Sequence, residues 1–322
     1  MRLRILSSDA VRSTIDMPMA IEAMRDAFSA LAAGEATVPV RVALETSHGV
    51  SLFMPAHLKE RDSAGVKIVS VNEGNAQSGL PAIHAVVLVL DTLTGCPIAL
   101  MDGTWLTALR TGAVGGLAAD LLARRDSTTV ALFGAGTQAR TQLEAVRCVR
   151  DITKVRVVSR SATSAQDLVG ELSGVEAIGL VDPDEAVAGA DIIIAATSSS
   201  TPVFDGALVE PGTHVTGIGS FTTEMREVDA TLVERARVIV DQKEAVLEEA
   251  GDIVGPIRDG LFGEDVIVGE IGDIVLGRIA GRTEPEEITY FKSVGNAVQD
   301  IAVAAKVLSV AEAEDLGEIF DL

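Results

Sequence analysis

Two glycines near the middle of the chain lie in a pattern that suits the binding of phosphate groups. The pattern follows an apolar run at 130–133 and consists of Gly134, Ala135, Gly136, Thr137, Gln138 and Ala139. In a GxGxxA sequence the first glycine makes a tight turn, the second admits a pyrophosphate, and the alanine packs closely. The N-terminus of the following helix favours an anion. These residues predict a dinucleotide-binding site; a purely structural glycine turn is the alternative.

The residues after the second strand of such a fold distinguish NAD from NADP. An NAD site carries an acidic residue about 20 positions beyond the fingerprint, where it binds the ribose hydroxyls. Here Ser159 and Arg160 occupy this position, and no acid does. Because a hydroxyl and a guanidinium suit a 2′-phosphate, NADP(H) is predicted as the preferred cofactor and NAD(H) as possible. Alternatively, Arg160 is an ordinary surface arginine.

Three cations earlier in the chain are candidates for binding an anionic substrate. Lys67 lies in an alternating, strand-like run and shares a face with Val69 and Val71. An ammonium group on an apolar face is costly unless it is paired or meets a ligand. Arg110 lies among small residues on a predicted helix, and Arg41 lies between two valines. The alternative is that all three are structural or surface cations.

The elements that must position the three cations form a first group, before residue 125. Helical spacing at 17–33 predicts a helix. Turn residues separate the strand-like runs that follow, which lie at 40–44, 50–54, 66–71, 85–90 and 98–101. A helix of small residues at about 106–124 leads out of this group. The pattern predicts a mainly antiparallel sheet.

A second group of elements surrounds the glycine pattern. Its short apolar runs lie at 130–133, 155–159, 175–180, 192–196, 215–218 and 238–240, and helical stretches separate most of them. Continuous apolar strands that alternate with helices are typical of a parallel sheet covered on both faces. A last helix, at 296–308, is expected to return to pack on the first group.

Several of these motifs resemble the ornithine cyclodeaminase/μ-crystallin family. The matching segments lie at 66–72, 79–81, 102–103, 106–113, 134–139 and 291–295, so the resemblance covers essentially the whole chain. It implies a dimeric NAD(P)-dependent oxidoreductase with an α/β fold. It also implies that a Rossmann domain with a doubly wound parallel sheet, residues 123–297, is inserted in an α+β substrate-binding and dimerisation domain, residues 1–122 plus 298–322.

The resemblance also implies roles for individual residues. The family's substrate-binding lysine and arginines match Arg41, Lys67 and Arg110, of which Lys67 and Arg110 are predicted to be catalytic. Further cofactor contacts are expected from Thr197, Ser198, Gly219 and Ser293.

One position departs from the family pattern. In ornithine cyclodeaminase a catalytic aspartate follows the glycines of the strand that ends here at Gly219, and this chain has Phe221 in its place. A phenyl ring can neither take a proton from a δ-amine nor anchor it, so Phe221 is expected to form an apolar wall for the substrate. Glu224 or Glu227 could replace the acid only if the loop folds differently.

The predicted reaction is therefore reduction of a small cyclic α-imino acid, such as Δ1-pyrroline-2-carboxylate, to the L-amino acid. The second hypothesis is an alanine dehydrogenase, whose reverse reaction forms alanine from pyruvate and ammonia. Ornithine cyclodeamination and a non-catalytic, NADPH-dependent binding protein are less favoured; retention of both Lys67 and Arg110 argues against the binding protein.

Composition excludes several other classes of protein. The net charge of −21 opposes nucleic acid and anionic membranes as general partners, and aromatic residues make up only 3% of the chain. The four histidines lack metal-ligand spacing, so no metal site is predicted. Cys96 and Cys148 are too few for a disulfide framework and are expected to be buried thiols. With no long apolar run and no apolar signal core, a cytoplasmic protein is predicted, and the resemblance adds a homodimer.

Overall fold

A computed structural model describes residues 2–59, 62–180 and 182–321. The strands in chain order are β1 (Arg2–Leu6), β2 (Ala36–Thr37), β3 (Val42–Thr46), β4 (Gly49–Leu58), β5 (Ser63–Val71), β6 (Ile83–Asp91), β7 (Pro97–Asp102), β8 (Thr129–Phe133), β9 (Lys154–Val158), β10 (Glu176–Leu180), β11 (Ile192–Ala195), β12 (His214–Gly217), β13 (Arg237–Val240), β14 (Ile267–Glu270), β15 (Thr289–Lys292) and β16 (Glu318–Asp321). The helices are α1 (Ser8–Thr14), α2 (Met17–Ala32), α3 (Gly103–Leu122), α4 (Thr137–Val149), α5 (Ala162–Glu171), α6 (Pro183–Val187), α7 (Ala230–Arg235), α8 (Lys243–Glu249), α9 (Gly251–Arg258), α10 (Ile271–Val275) and α11 (Ala297–Ala313).

The chain divides into two units, each with its own eight-stranded sheet. The first unit comprises Met1–Arg110 and Asn296–Leu322, and the second is Thr111–Gly295. The second unit is thus inserted in the first. The predicted boundary after residue 122 coincides with the end of α3, whereas the contacts divide the chain inside this helix. Sequence patterning marks where a helix ends and carries no signal for a division within one.

The sheet of the first unit is mainly antiparallel, as predicted. Its strand order is β16-β1-β7-β6-β5-β4-β2, with β3 on β4, and only the β1–β7 pair is parallel. Helix α11 packs on β4, β5, β6 and α2, which confirms that the last helix returns to the first group. The covered face of β5 carries the buried residues Gly65, Lys67 and Val69, and the other face carries the partly exposed Val66 and Ile68.

The sheet of the second unit is entirely parallel, with the order β10-β9-β8-β11-β12-β15-β13-β14. Alternate residues of β8 enter different cores: Ala131 and Phe133 join one cluster, and Val130 and Leu132 join another. The sheet is therefore covered on both faces, and the predicted doubly wound α/β fold is confirmed. The strand order reverses between β8 and β11, and in such sheets ligands bind beyond the carboxyl ends of the strands at this point.

Five of the observed strands are not predicted from the sequence, among them the two-residue strand β2. Of these, β15 is central, between β12 and β13, yet it has only four residues and ends in a lysine. A four-residue run is too short to show a periodicity. Strand β14 is equally short, and β1 and β16 pair with each other from opposite ends of the sequence. Strand β3 begins two residues later than predicted.

The prediction that both cysteines are buried is wrong, because Cys96 and Cys148 are exposed. Cys96 lies in the turn between β6 and β7, and Cys148 lies near the end of the amphipathic helix α4 on its solvent side. Among the described residues, no helix combines the length and apolar character needed to cross a membrane.

Candidate active site

Lys67 lies on the covered face of the first unit's sheet, at its centre. Its side chain is 1% exposed, and the residues directly opposite it on β4 and β6 are the buried Met54 and Val87. Burying an ammonium group among apolar side chains is unfavourable without a counter-charge. The surroundings of Lys67 are therefore as apolar as the sequence predicts. A partner of opposite charge must compensate the buried ammonium group.

The partner is Asp300, in the first turn of α11. Lys67 Nζ lies 2.8 Å from Asp300 Oδ2, and Arg110 Nε lies 3.0 Å from Asp300 Oδ1. Arg110 also donates a hydrogen bond of 2.5 Å to Gln299 Oε1, from the same turn. The helix begins at Asn296, whose side chain accepts from the Val298 N–H. One carboxylate thus holds both predicted catalytic cations.

The charges of this cluster do not balance. Burial, with the nearby Arg110 guanidinium, lowers the pKa of Lys67 to about 8; Asp300 opposes this shift, and Arg41 adds to it. Arg41 is half-buried just before β3, and its effect on the pKa of Lys67 shows that the two charges interact. Lys67 and Arg110 share the one carboxylate of Asp300, and an anionic ligand would satisfy the excess positive charge of this pair. The structure thus brings Lys67 and Arg110 together on Asp300, and Arg41 lies near enough to act electrostatically on Lys67.

Sequence reasoning missed Asp300 and Gln299. The signal that could have found them is a pair of polar residues in an otherwise apolar helix, since α11 runs Ala-Val-Gln-Asp-Ile-Ala-Val-Ala-Ala from Ala297. A fully buried carboxylate needs a cation or several hydrogen bonds. The sequence does not show which of the chain's 26 lysines and arginines pairs with Asp300.

We predict that Asp300→Asn moves the pH dependence of the reaction. The carboxylate raises the pKa of Lys67, so its removal brings that pKa below about 8, by roughly one unit or more. A reductive step that needs protonated Lys67 is active below this pKa and is lost as the pH rises through it. The alkaline limb of kcat/KM for reduction should therefore move to lower pH. Asp315→Asn, at an exposed acid of the same unit, should leave the limb in place.

The predicted dinucleotide site lies in the second unit between β8 and α4. Gly134 has φ +108°, and a Cβ atom there would collide with the carbonyl oxygen of Ala196, so only glycine fits this turn. Gly136 is the N-cap of α4, and no side chain caps the helix. The amides of its first turn are therefore available to an anion. Ala139 is fully buried and packs against the sheet. The local structure fits the fingerprint.

The other predicted cofactor residues lie at the carboxyl ends of the same sheet. Ser159 and Arg160 follow β9, Thr197 and Ser198 follow β11, Gly219 follows β12, and Ser293 follows β15. Arg160 is exposed and makes no hydrogen bond or ion pair with a described residue, and Ser198 is exposed. The Ser293 hydroxyl instead donates to Asp241 Oδ2 at 2.7 Å. This hydroxyl is thus already used within the protein.

The loop after β12 contains two acids, Glu224 and Glu227, whose surroundings differ. Glu227 is fully buried and accepts hydrogen bonds from Thr197, Gly219 and Ser220. Glu224 is exposed and bonded to the neighbouring Thr223 hydroxyl at 2.7 Å. Phe221 is 38% exposed. The carboxylate of Glu227 therefore serves the loop, which argues against it as a replacement for the missing aspartate.

No group of three or more histidine, cysteine, aspartate or glutamate side chains within residues 2–59, 62–180 and 182–321 could hold a metal ion. The groups that fit a cofactor are those of a dinucleotide site.

Comparison with known proteins identifies the family to which this chain belongs. A sequence profile of the ornithine cyclodeaminase/mu-crystallin family matches residues 2–315. The chain belongs to this family. The predicted membership is confirmed, and the membership agrees with the mixed α/β fold and its inserted parallel sheet.

Three members of the family illustrate the similarity. A Delta(1)-pyrroline-2-carboxylate reductase of Bacillus cereus is 38% identical over 97% of this chain and 98% of its own length. The structure of the Delta(1)-pyrroline-2-carboxylate reductase of Thermococcus litoralis with NADH and L-proline is 39% identical, covers 98% of this chain and 99% of its own, and has a TM-score of 0.95. An archaeal alanine dehydrogenase dimer with bound NAD is 37% identical, covers both chains fully, and has a TM-score of 0.95. These names agree with the predicted class, an oxidoreductase that acts on an imino or amino acid.

Proposed function

We propose that this protein reduces a small cyclic α-imino acid, such as Δ1-pyrroline-2-carboxylate, to the L-amino acid with NAD(P)H. The observation that carries the proposal is the buried cluster in which Lys67 and Arg110 share the carboxylate of Asp300, with Arg41 close enough to lower the pKa of Lys67. A substrate carboxylate supplies the charge that this cluster lacks. The full-length similarity to reductases of Δ1-pyrroline-2-carboxylate supports the choice of substrate.

The residues of the cluster divide the work of this reaction. The Arg110 guanidinium, and with it Arg41, would bind the substrate carboxylate, since a fork of N–H donors matches two oxygens. Asp300 holds Arg110 and Lys67 in place through its two oxygens. Lys67, with a pKa of about 8, is protonated at neutral pH yet close to releasing its proton. It would deliver that proton to the substrate nitrogen or to a bound water.

The cofactor provides the other half of the reaction. When bound, a reduced nicotinamide supplies a hydride to the Cα of the C=N bond. The hydride and one proton together convert the imine to the amine, so the protein has to provide a proton and an oriented carboxylate. Gly134, Gly136 and the uncapped start of α4 are the groups that fit its pyrophosphate.

A substrate panel tests the proposal. Oxidation of NADPH and NADH is followed with Δ1-pyrroline-2-carboxylate, Δ1-piperideine-2-carboxylate, and pyruvate plus ammonia. The proposal expects the highest kcat/KM with a cyclic imino acid. Faster turnover of pyruvate plus ammonia would favour an alanine dehydrogenase, the activity of the archaeal relative. Tight NADPH binding without turnover of any substrate would favour a binding protein.

We further propose that NADPH is preferred to NADH. Ser159 and the exposed Arg160, which has no partner among the described residues, follow β9, where an NAD site would carry an acid. Ser161 is not available in the same way, because its hydroxyl caps α5 by accepting from the Ser164 N–H. Structures of relatives contain NADH or NAD, so the proposed preference rests on Ser159 and Arg160 of this chain.

Arg160→Ala should reduce the NADPH preference by roughly tenfold, the effect of one charge-assisted hydrogen bond at an exposed site. The measurement is the ratio of kcat/KM for NADPH to that for NADH, in the wild type and in the variant. Arg125→Ala, at an exposed arginine of the same unit, is the matched control and should leave the ratio unchanged. A wild type that uses NADH equally well, or an unchanged ratio in Arg160→Ala, contradicts the prediction.

A homodimer formed through the first unit is also proposed. On the face of its sheet away from α11, Val42, Phe53, Ile68 and Val86 lie directly opposite one another across β3 to β6. Val42 is 62% exposed and Val86 is 40% exposed. A continuous apolar row on a sheet face is typical of a protein–protein interface. The archaeal relative is a dimer, which favours a second copy as the partner, and sedimentation equilibrium measures this mass directly.

A further inference from the structure

The carboxylate of Glu227 is buried in the second unit and has no part in the chemistry described above. Its Oε1 accepts hydrogen bonds from the N–H (2.6 Å) and the hydroxyl (2.9 Å) of Thr197. Its Oε2 accepts from the N–H groups of Gly219 (2.6 Å) and Ser220 (3.0 Å). One side chain therefore satisfies four donors from two separate loops.

These two loops are neighbours at the carboxyl edge of the parallel sheet. Strands β11 and β12 pair in register, with Ala195 opposite Gly217, and each loop leaves its strand directly beyond this pair. Dinucleotide folds consist of two mononucleotide-binding halves; the fingerprint and the ribose-reading position belong to the half with β8 and β9. The loops that Glu227 joins belong to the other half, which receives the nicotinamide end.

The two loops are also in close contact. A Cβ atom at Gly219 would lie 2.5 Å from the backbone nitrogen of Thr197 and 2.7 Å from Glu227 Oε1. No larger residue fits there without moving one of the loops. Because residue 219 is a glycine, the two loops come close enough for the Glu227 carboxylate to bind both of them.

Glu227 is itself held by the core of the unit. Its N–H donates to Asp252 Oδ1 at 2.5 Å, and the Val228 N–H donates to the same oxygen at 3.1 Å. Asp252 Oδ2 is paired with Lys292 Nζ at 2.7 Å, and Lys292 ends β15, beside β12. Burial raises the pKa of Glu227, and Lys292 opposes this shift. Glu227 is thus connected through Asp252 and Lys292 to the parallel sheet.

We propose that Glu227 is a positioning residue that holds the loops after β11 and β12 in the conformation that receives the nicotinamide half of the cofactor. The inference rests on the proposed function only for the identity of that cofactor. Two oxygens of a carboxylate can accept from four donors, whereas an amide offers one oxygen and turns its NH₂ group towards N–H donors. Glutamate is therefore required where glutamine has nearly the same shape.

Glu227→Gln separates the two halves of the cofactor site. The dissociation constants for NADH and for ADP, which lacks the nicotinamide half, are measured by titration calorimetry. NADH should bind about tenfold more weakly, as expected for the loss of buried hydrogen bonds, and ADP should bind as in the wild type. The kcat for imine reduction should fall by roughly 10- to 100-fold through misplacement of the nicotinamide. Glu234→Gln, at an exposed glutamate of the same unit, is the control.

Two further readouts keep the test decisive. The alkaline limb that Lys67 sets should stay at the same pH in Glu227→Gln, because a positioning residue does not transfer the proton. If Glu227→Gln does not fold, Thr197→Val removes one of the four donors and should weaken NADH binding by less than about tenfold, again with ADP unaffected.

Equal weakening of NADH and ADP, or wild-type affinity for NADH, would overturn the inference. A wild type that binds NADH but reduces no imino acid would overturn the proposed function alone, since the comparison of NADH with ADP needs no substrate.

Discussion

Lys67→Met should lower kcat/KM for imine reduction by roughly 10²–10⁴-fold, the range for loss of a positioned acid–base group. The substituted side chain lies between Met54 and Val87, so an apolar residue of similar length fits the site. Asp300 keeps its pair with Arg110, 3.0 Å away, and is not left without a cation. The fold should therefore survive while the proton donor and one positive charge are lost. The dissociation constant for NADPH, bound by the second unit, should be unchanged.

Stability measurements distinguish this role from a structural one. Removing one partner of a buried ion pair is destabilising when it leaves the other charge unpaired, but Asp300 keeps its pair with Arg110 when Lys67 is replaced. Lys67→Met should thus unfold at nearly the wild-type temperature despite its large kinetic defect. Lys59→Met, at an exposed lysine at the end of β4, should be active. Near-normal activity of Lys67→Met would return Lys67 and Arg110 to a structural role.

The sequence predicts much of the cofactor site because its signals are local. Gly134, with φ +108°, Gly136 at the N-cap and the buried Ala139 all act within one strand–turn–helix segment, where spacing alone specifies their roles. The position of Ser159 and Arg160 after β9 likewise follows from counting along one crossover. Local chemistry of this kind needs no knowledge of the remaining fold.

The catalytic cluster could be predicted only in part, because it joins distant segments. Lys67 and Arg110 stand out as cations among apolar or small neighbours, but Asp300 reaches them only when α11 packs on β5. The position of Asp300 in the sequence gives no indication that it pairs with Lys67 or Arg110. The state of Glu227 is equally hidden, since the sequence cannot show whether an acid points to a substrate or accepts four internal hydrogen bonds.

L-Ornithine should not be converted to proline at a rate comparable to imine reduction. Cyclodeamination removes a hydride from Cα, forms a new C–N bond from the δ-amine to that carbon, releases ammonia and returns the hydride. The δ-ammonium must therefore lose a proton inside the site, and a carboxylate can both hold it and accept that proton. Phe221 offers neither function and would face a buried cation with an apolar ring. Reduction of a preformed cyclic imine needs none of these steps.

The structure limits which acid in the loop after β12 could replace the missing aspartate. Glu227 is committed to Thr197, Gly219 and Ser220, so the acid left in this loop is Glu224, which is exposed. The test incubates the enzyme with L-ornithine and catalytic NAD⁺ or NADP⁺, and follows ammonia and proline against the rate with Δ1-pyrroline-2-carboxylate. Sustained proline formation that disappears in Glu224→Gln would show that the loop rearranges to bring this acid to the substrate. If no proline is formed, the result agrees with the absence of a carboxylate at position 221, where this chain has Phe221.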